Sequence, residues 1–132
     1  MAEVKKRILI VEDDAAIRTL EDRILTVSGF DVTVAANGSQ ALQLALSASF
    51  DLFLLDVMMP GMNGFELARS LRKADQSRRT PILFVTARGE ADAMAEGFSA
   101  GASLYLVKPF TTTTLLTMVR GALGTAPLDA SA

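Results

Sequence analysis

The stretch FDLFLLDVMMPGMNGFEL, Phe50 to Leu67, decides how the chain is read. Four apolar residues, Leu52 to Leu55, run directly into Asp56, and Pro60 and Gly61 follow within five residues. An apolar run of that length bounded by turn residues is a buried strand. A carboxylate gains nothing from such a strand, so Asp56 belongs at its exit, where the sheet meets solvent.

Four further runs of the same kind lie along the chain: ILIV at 8–11, VTVA at 32–35, ILFV at 82–85 and LYLV at 104–107. Segments of helical period separate them. Ile17, Leu20, Ile24 and Val27 share one helix face, as do Leu42, Ala45 and Leu46, then Phe65, Ala68 and Leu71, then Ala91, Met94, Ala95 and Phe98. A last helix is expected from Thr111 to Leu123, and Asp14 is placed to cap the first. Strands alternating with helices form parallel βα units. Runs apolar throughout suit a sheet covered on both faces. The expected fold is α/β, a single doubly wound five-stranded parallel sheet with five helices. DVTVAA partly alternates and is expected at an edge. One domain is expected over 1–124, with a frayed tail over 125–132.

Composition narrows the chemistry. The 132 residues include 13 basic and 15 acidic side chains, a formal net charge of −2, which gives no reason to expect a nucleic-acid-binding patch. Without cysteine or histidine, the chain has no disulfide, thiol nucleophile, imidazole base or imidazole metal ligand of its own. No apolar stretch approaches the ~20 residues that span a bilayer. The opening MAEVKKRILIVEDD does not read as a signal peptide, so a soluble cytoplasmic protein is expected.

Ligands of open α/β sheets bind beyond the carboxyl ends of the strands. Glu12, Asp13 and Asp14 follow the first run, Asp56 the third, Thr86 the fourth, and Lys108 and Pro109 the fifth. Taken singly these are ordinary residues: Asp14 and Thr86 are helix caps, and Lys108 is a solvated lysine. Together they bring carboxylates, a hydroxyl and an ammonium to one edge.

The ordered motifs ILIVEDD, DLFLLDVMMPGMNG, PILFVTAR and GASLYLVKPF, with the spacing between them, resemble the receiver domain of two-component response regulators, a chemotaxis-regulator-like, flavodoxin-like fold. The resemblance covers roughly residues 6 to 123 and implies strand order 2-1-3-4-5. It implies that Asp56 is the phosphorylated aspartate, with Thr86 and Lys108 completing the catalytic set. It implies that Glu12, Asp13, Asp56 and the Met58 carbonyl hold Mg2+ (or Mn2+), with Glu12 acting through a metal-bound water. Thr86 and Tyr105 match the switch pair, and Pro109 the proline after a cis peptide. The implied partners are a sensor histidine kinase or histidine phosphotransfer protein, and a downstream protein that reads the surface of the fourth helix, fifth strand and fifth helix. The implied protein is a monomer or a phosphorylation-dependent dimer, and no enzyme beyond its own phosphorylation and dephosphorylation. No output domain is read after the receiver, so signalling is expected through a bound partner, or the receiver is cut from a longer protein. Ser103 and Leu104 replace the usual acids before the tyrosine, and Thr114 stands where an acid is common. These changes put the usual partner surface in question and leave the phosphorylation chemistry alone.

Charge explains why that chemistry needs a metal. Glu12, Asp13, Asp56 and Lys108 sum to −2 (three negatives and one positive). A divalent cation brings the cluster to neutrality, and a dianionic acyl phosphate on Asp56 then leaves it at one negative charge instead of three. Each unit charge pair at ~4 Å is worth roughly 4 kcal/mol at an effective dielectric of about 20. Three rival readings remain. A phosphatase of the haloacid-dehalogenase type needs a second acid two residues after the first, where this chain has Met58. A flavin-binding module needs a phosphate loop after the first strand, and EDDAAI repels phosphate. A phosphorylation-independent scaffold with the same fold is opposed by the intact set Asp13, Asp56, Thr86 and Lys108.

Overall fold

The computed structural model describes residues 4–124; the tail expected over 125–132 lies outside them. Strands β1 (Arg7–Val11), β2 (Asp31–Ala35), β3 (Leu52–Leu55), β4 (Ile82–Thr86) and β5 (Leu104–Val107) alternate with helices α1 (Ala15–Val27), α2 (Gly38–Ser47), α3 (Gly64–Lys73), α4 (Ala91–Ser99) and α5 (Thr112–Ala122). All strand pairs are parallel, in the order β2-β1-β3-β4-β5. The order reverses between β1 and β3, which opens the crevice where ligands of such sheets bind.

The strands form where the apolar runs stand, and alternation along them divides the core in two. Leu9, Val11, Phe53, Leu55, Ile82 and Phe84 face the layer of α2, α3 and α4. Ile8, Ile10, Leu52, Leu54, Leu83 and Val85 face α1 and α5. Each fully buried side chain of this size contributes about 1.5–3 kcal/mol of hydrophobic stabilisation. β2 is an edge strand, and only its last residue, Ala35, is buried. No helix among the described residues is long and apolar enough to cross a membrane.

Helix starts follow cap chemistry. Asp14 Oδ1 accepts from the N–H of Ala16 (2.9 Å) and Ile17 (3.1 Å). Asn63 and Glu66 form a reciprocal capping box at α3. Thr111 caps α5, so the helix begins one residue later than expected.

Three helix faces differ from the sequence reading. In α1 the buried residues are Glu21 and Leu25, while Leu20 and Val27 are 49% and 81% exposed. In α2 Ala41 is buried beside Ala45 and Leu46 is exposed. In α4 Ala93 and Gly97 face inward and Phe98 outward. Each of these helices carries apolar residues on more than one side. In α2 and α4 the sheet takes the narrow stripe of small residues that lets the backbones approach, while in α1 it takes the stripe of Glu21 and Leu25. In α3 Phe65, Ala68 and Leu71 are buried as expected.

Gly64 fixes the distance between α3 and the end of β3. Its N–H donates to the Val57 carbonyl at 2.9 Å. A Cβ there would lie 2.2 Å from the Asp56 carbonyl oxygen and 2.8 Å from Val57 Cα. Both neighbours are backbone and cannot yield. Gly64→Ala is expected to lower the unfolding free energy in urea by about 2–4 kcal/mol through overpacking; an unchanged midpoint would contradict this contact.

Candidate functional site

Backbone hydrogen bonds run past the strand ends and carry the polar residues with them. The Asp56 N–H donates to the Val11 carbonyl (3.0 Å), the Glu12 N–H to Ala35 (3.1 Å), and the Lys108 N–H to Thr86 (2.8 Å). Glu12, Asp56 and Lys108 therefore sit on an extension of the sheet, not on free loops. Arg18, one turn into α1, donates from Nη1 to the Glu12 carbonyl at 2.8 Å and holds the β1–α1 turn against the helix.

At the centre of the edge, Lys108 Nζ donates to Glu12 Oε1 at 2.7 Å and to Asp56 Oδ2 at 2.9 Å. The remaining carboxylate oxygens are also engaged. Asp56 Oδ1 accepts from the Met58 N–H at 3.1 Å, and Glu12 Oε2 from the Asp14 N–H at 3.2 Å. Glu12 and Asp56 are buried and Asp13 is exposed. One carboxylate oxygen from each of the three lies within 4.8 Å of the others. This all-oxygen donor set, with one open side at Asp13, fits a hard divalent cation such as Mg2+. Sequence reasoning brought Lys108 to Asp56 but missed its shorter bond to Glu12.

The other expected residues flank this cluster. Thr86 is fully buried, and its hydroxyl accepts the Arg88 N–H at 3.2 Å. Tyr105 is 7% exposed and donates its hydroxyl proton to the Arg88 carbonyl at 2.6 Å. Its ring is turned inward, against Phe84. Met58 contributes its N–H to Asp56 and exposes its side chain. The Lys108–Pro109 peptide is cis. A cavity of about 510 Å3 beside Asp56 is lined by Met58, Pro60, Phe65, Arg88 and Glu96 among others. A second hollow, about 380 Å3 and mostly apolar, lies between α1 and the β5–α5 turn, against Ile17, Leu20, Lys108, Pro109 and Phe110. The outward placement of Leu20 makes one wall of it.

Crowding shows in the proton affinities. Burial pushes Glu12 up to about 7, against the Lys108 hydrogen bond, which lowers it, and with the Asp56 charge, which raises it further. Burial works to lower Lys108, but its bonds to Glu12 and Asp56 outweigh that and leave it raised.

Glu21 is a site neighbour that sequence reasoning missed. It is 2% exposed on the sheet side of α1, and burial, then the charge of Glu12, pushes it up to about 8. A glutamate midway along a helix reads as solvated. The available signal was its spacing from Arg18 and Leu25, which puts all three on one stripe. Between its ordinary 4.5 and about 8, the folded chain holds a proton that the unfolded chain releases. The contribution of Glu21 is thus fully present below 4.5 and declines as pH rises through about 8. Glu21→Leu is expected to stabilise the metal-free chain at high pH by about 1–3 kcal/mol and to flatten the fall of stability with pH. Denaturant unfolding in a chelator across pH checks this, and parallel curves for the two proteins would contradict it.

Comparison with known proteins agrees with this geometry. Residues 8–120 match the family described as response regulator receiver domain. The transcriptional regulatory protein ResD of Bacillus subtilis is 42% identical over 104 residues, covering 79% of this chain and 42% of that protein. The protein PetR of Rhodobacter capsulatus is 43% identical over 120 residues, covering 91% and 49%. The chain spans about half the length of the curated relatives it matches. Among solved structures, chemotaxis protein CheY4 of Vibrio cholerae superposes with a TM-score of 0.87 at 37% identity, covering 90% of this chain and 99% of that one. The receiver domain of a sensor histidine kinase from Pseudomonas aeruginosa, solved with a magnesium ion in its active-site cleft, superposes at 0.85 with 30% identity over 92% and 99%. With the family model spanning nearly the whole sheet and its helices, the chain belongs to the response regulator receiver domains of two-component signalling.

Proposed function

We propose that Asp56 accepts a phosphoryl group from a phosphohistidine on a sensor histidine kinase or histidine phosphotransfer protein. One carboxylate oxygen of Asp56 bonds to phosphorus as the P–N bond breaks, and the electron pair leaves with the donor imidazole. The observation that carries this reading is the Lys108 ammonium, seated between Glu12 and Asp56 at 2.7 and 2.9 Å. It already faces the oxygen whose charge the transfer rearranges, and it can follow the phosphoryl oxygens with little motion. Glu12, Asp13, Asp56 and the Met58 carbonyl would hold Mg2+ or Mn2+, which supplies charge neutralisation at the phosphoryl group when bound. The Thr86 hydroxyl, at the end of β4, donates to a phosphoryl oxygen. The same site admits water and so limits the lifetime of the product, with Met58 and Arg88 at its rim.

The signal leaves through Arg88. Thr86 accepts the N–H of that residue and Tyr105 donates to its carbonyl, so one backbone unit links the two switch side chains. A shift of Thr86 toward phosphate alters the seat of Tyr105 and, with it, the surface of α4, β5 and α5. Phe98 and Val107 are exposed there, and Ser103, Leu104 and Thr114 leave that surface without the acids usual in the family. The surface is read by a downstream protein or by a second copy after phosphorylation. Protein is favoured over nucleic acid as the direct partner by a formal net charge of −2. The apolar hollow beside Lys108 suits a helix of the phosphodonor laid along α1. The setting is cytoplasmic.

Intact-mass analysis after incubation with a small acyl-phosphate donor and Mg2+ tests the assignment. The wild-type chain gains one phosphoryl group, Asp56→Asn gains none, and a chelator abolishes the gain. Lys108→Ala slows uptake by about 100-fold or more. Equal labelling of wild type and Asp56→Asn, or labelling that survives the chelator, would contradict the assignment to Asp56, and no labelling of either protein would favour a phosphorylation-independent scaffold.

A further inference from the structure

The layer behind the site holds a steric feature that the phosphoryl chemistry does not use. The Tyr105 ring lies between Phe84 and Phe98, with centroids at 5.9 and 6.3 Å. Against it stands Gly97, buried in the middle of α4. A Cβ at Gly97 would lie 2.9 Å from Tyr105 Cε2, 3.0 Å from Cδ2 and 3.3 Å from Phe84 Cδ2. The Gly97 backbone is helical, without the positive φ that favours glycine elsewhere in the chain. Alanine is the better helix former at such a position. The neighbours therefore require the glycine, and the backbone does not.

The two neighbours differ in how they can respond. Phe84 is fully buried in β4 and has nowhere to go. Tyr105 borders the surface, where its other ring neighbour, Phe98, is exposed. A side chain at position 97 would displace the tyrosine and take its hydroxyl away from the Arg88 carbonyl.

We propose that Gly97 is a positioning residue for Tyr105: the missing side chain makes the notch in α4 that seats the ring inward and lets its hydroxyl reach the Arg88 carbonyl. The proposal rests on the reading of Tyr105 as a switch, and goes further by naming what sets its resting place. Phosphoryl uptake at Asp56 is not expected to depend on the notch, because Gly97 touches none of the acids. The output surface is.

The chain has one tyrosine and no tryptophan, so intrinsic emission and phenol titration both report on Tyr105 alone. In Gly97→Ala the acrylamide quenching constant is expected to rise about twofold or more as the ring moves from a buried to an open place. The phenol midpoint, raised by burial in the wild type, is expected to fall toward 10.0. Acyl-phosphate labelling of Asp56 stays within about twofold of wild type, since the charges that stabilise it are unmoved. A second variant separates the notch from a general packing role. Gly97→Ala lowers the urea midpoint when Tyr105 is present and lowers it much less, or raises it, in a Tyr105→Ala background, where only the 3.3 Å approach to Phe84 opposes the helix preference of alanine. Wild-type quenching and phenol midpoint in Gly97→Ala would overturn the proposal. If Gly97→Ala does not fold, the double variant decides: a folded double variant supports the notch, and an unfolded one overturns it. Wild-type emission that ignores phosphorylation would sink the switch reading and leave the notch standing on the variants.

Discussion

One ammonium between two carboxylates organises this molecule. Lys108 Nζ bonds to Glu12 and Asp56 at the edge of the sheet, and a third acid, Asp13, stands within reach of both carboxylates. Three negative charges around one positive charge do not balance, and burial of Glu12 and Asp56 makes the imbalance costly. The excess is the feature a divalent cation answers. It is also why the acids hang on backbone bonds that extend the strand ladders: side chains on mobile loops would drift apart.

The rest of the fold serves that imbalance. β1, β3 and β4 are buried on both faces, so their ends cannot shift without disturbing a core. Gly64 brings α3 to contact distance from the Asp56 backbone, and Arg18 ties the β1–α1 turn down. The link between Thr86 and Tyr105 lies one layer out. Arg88 belongs to the connection between β4 and α4, and Tyr105 touches it through a single hydroxyl. A charged centre held by the strand ends beside a small hydrogen-bonded relay is the division that the proposed switch would use.

The strands and the site were legible in the sequence for the same reason. A strand buried on both faces is an unbroken apolar run, and the first polar residue after it marks the sheet edge. Asp56, Thr86 and Lys108 were found that way. The helix faces were less legible, because α1, α2 and α4 carry apolar residues on more than one side, and burial selected small ones in α2 and α4 and the Glu21–Leu25 stripe in α1. Glu21 was invisible because an acid in a helix normally faces water. The Glu12–Lys108 bond joins residues 96 positions apart, and no local pattern announces it. The inward seat of Tyr105 depends on a side chain that is missing from another helix, so no property of β5 could foretell it.

The central claim is that Glu12, Asp13 and Asp56 form one cation site whose charge Lys108 only partly offsets. Calorimetric titration of the chain with Mg2+ at neutral pH tests it most directly. A single site is predicted in the wild type. Asp13→Asn and Asp56→Asn should each weaken it at least about tenfold, since one charge contact is worth on the order of 1–4 kcal/mol. Binding that is unaffected by either substitution would place the cation elsewhere and contradict the account.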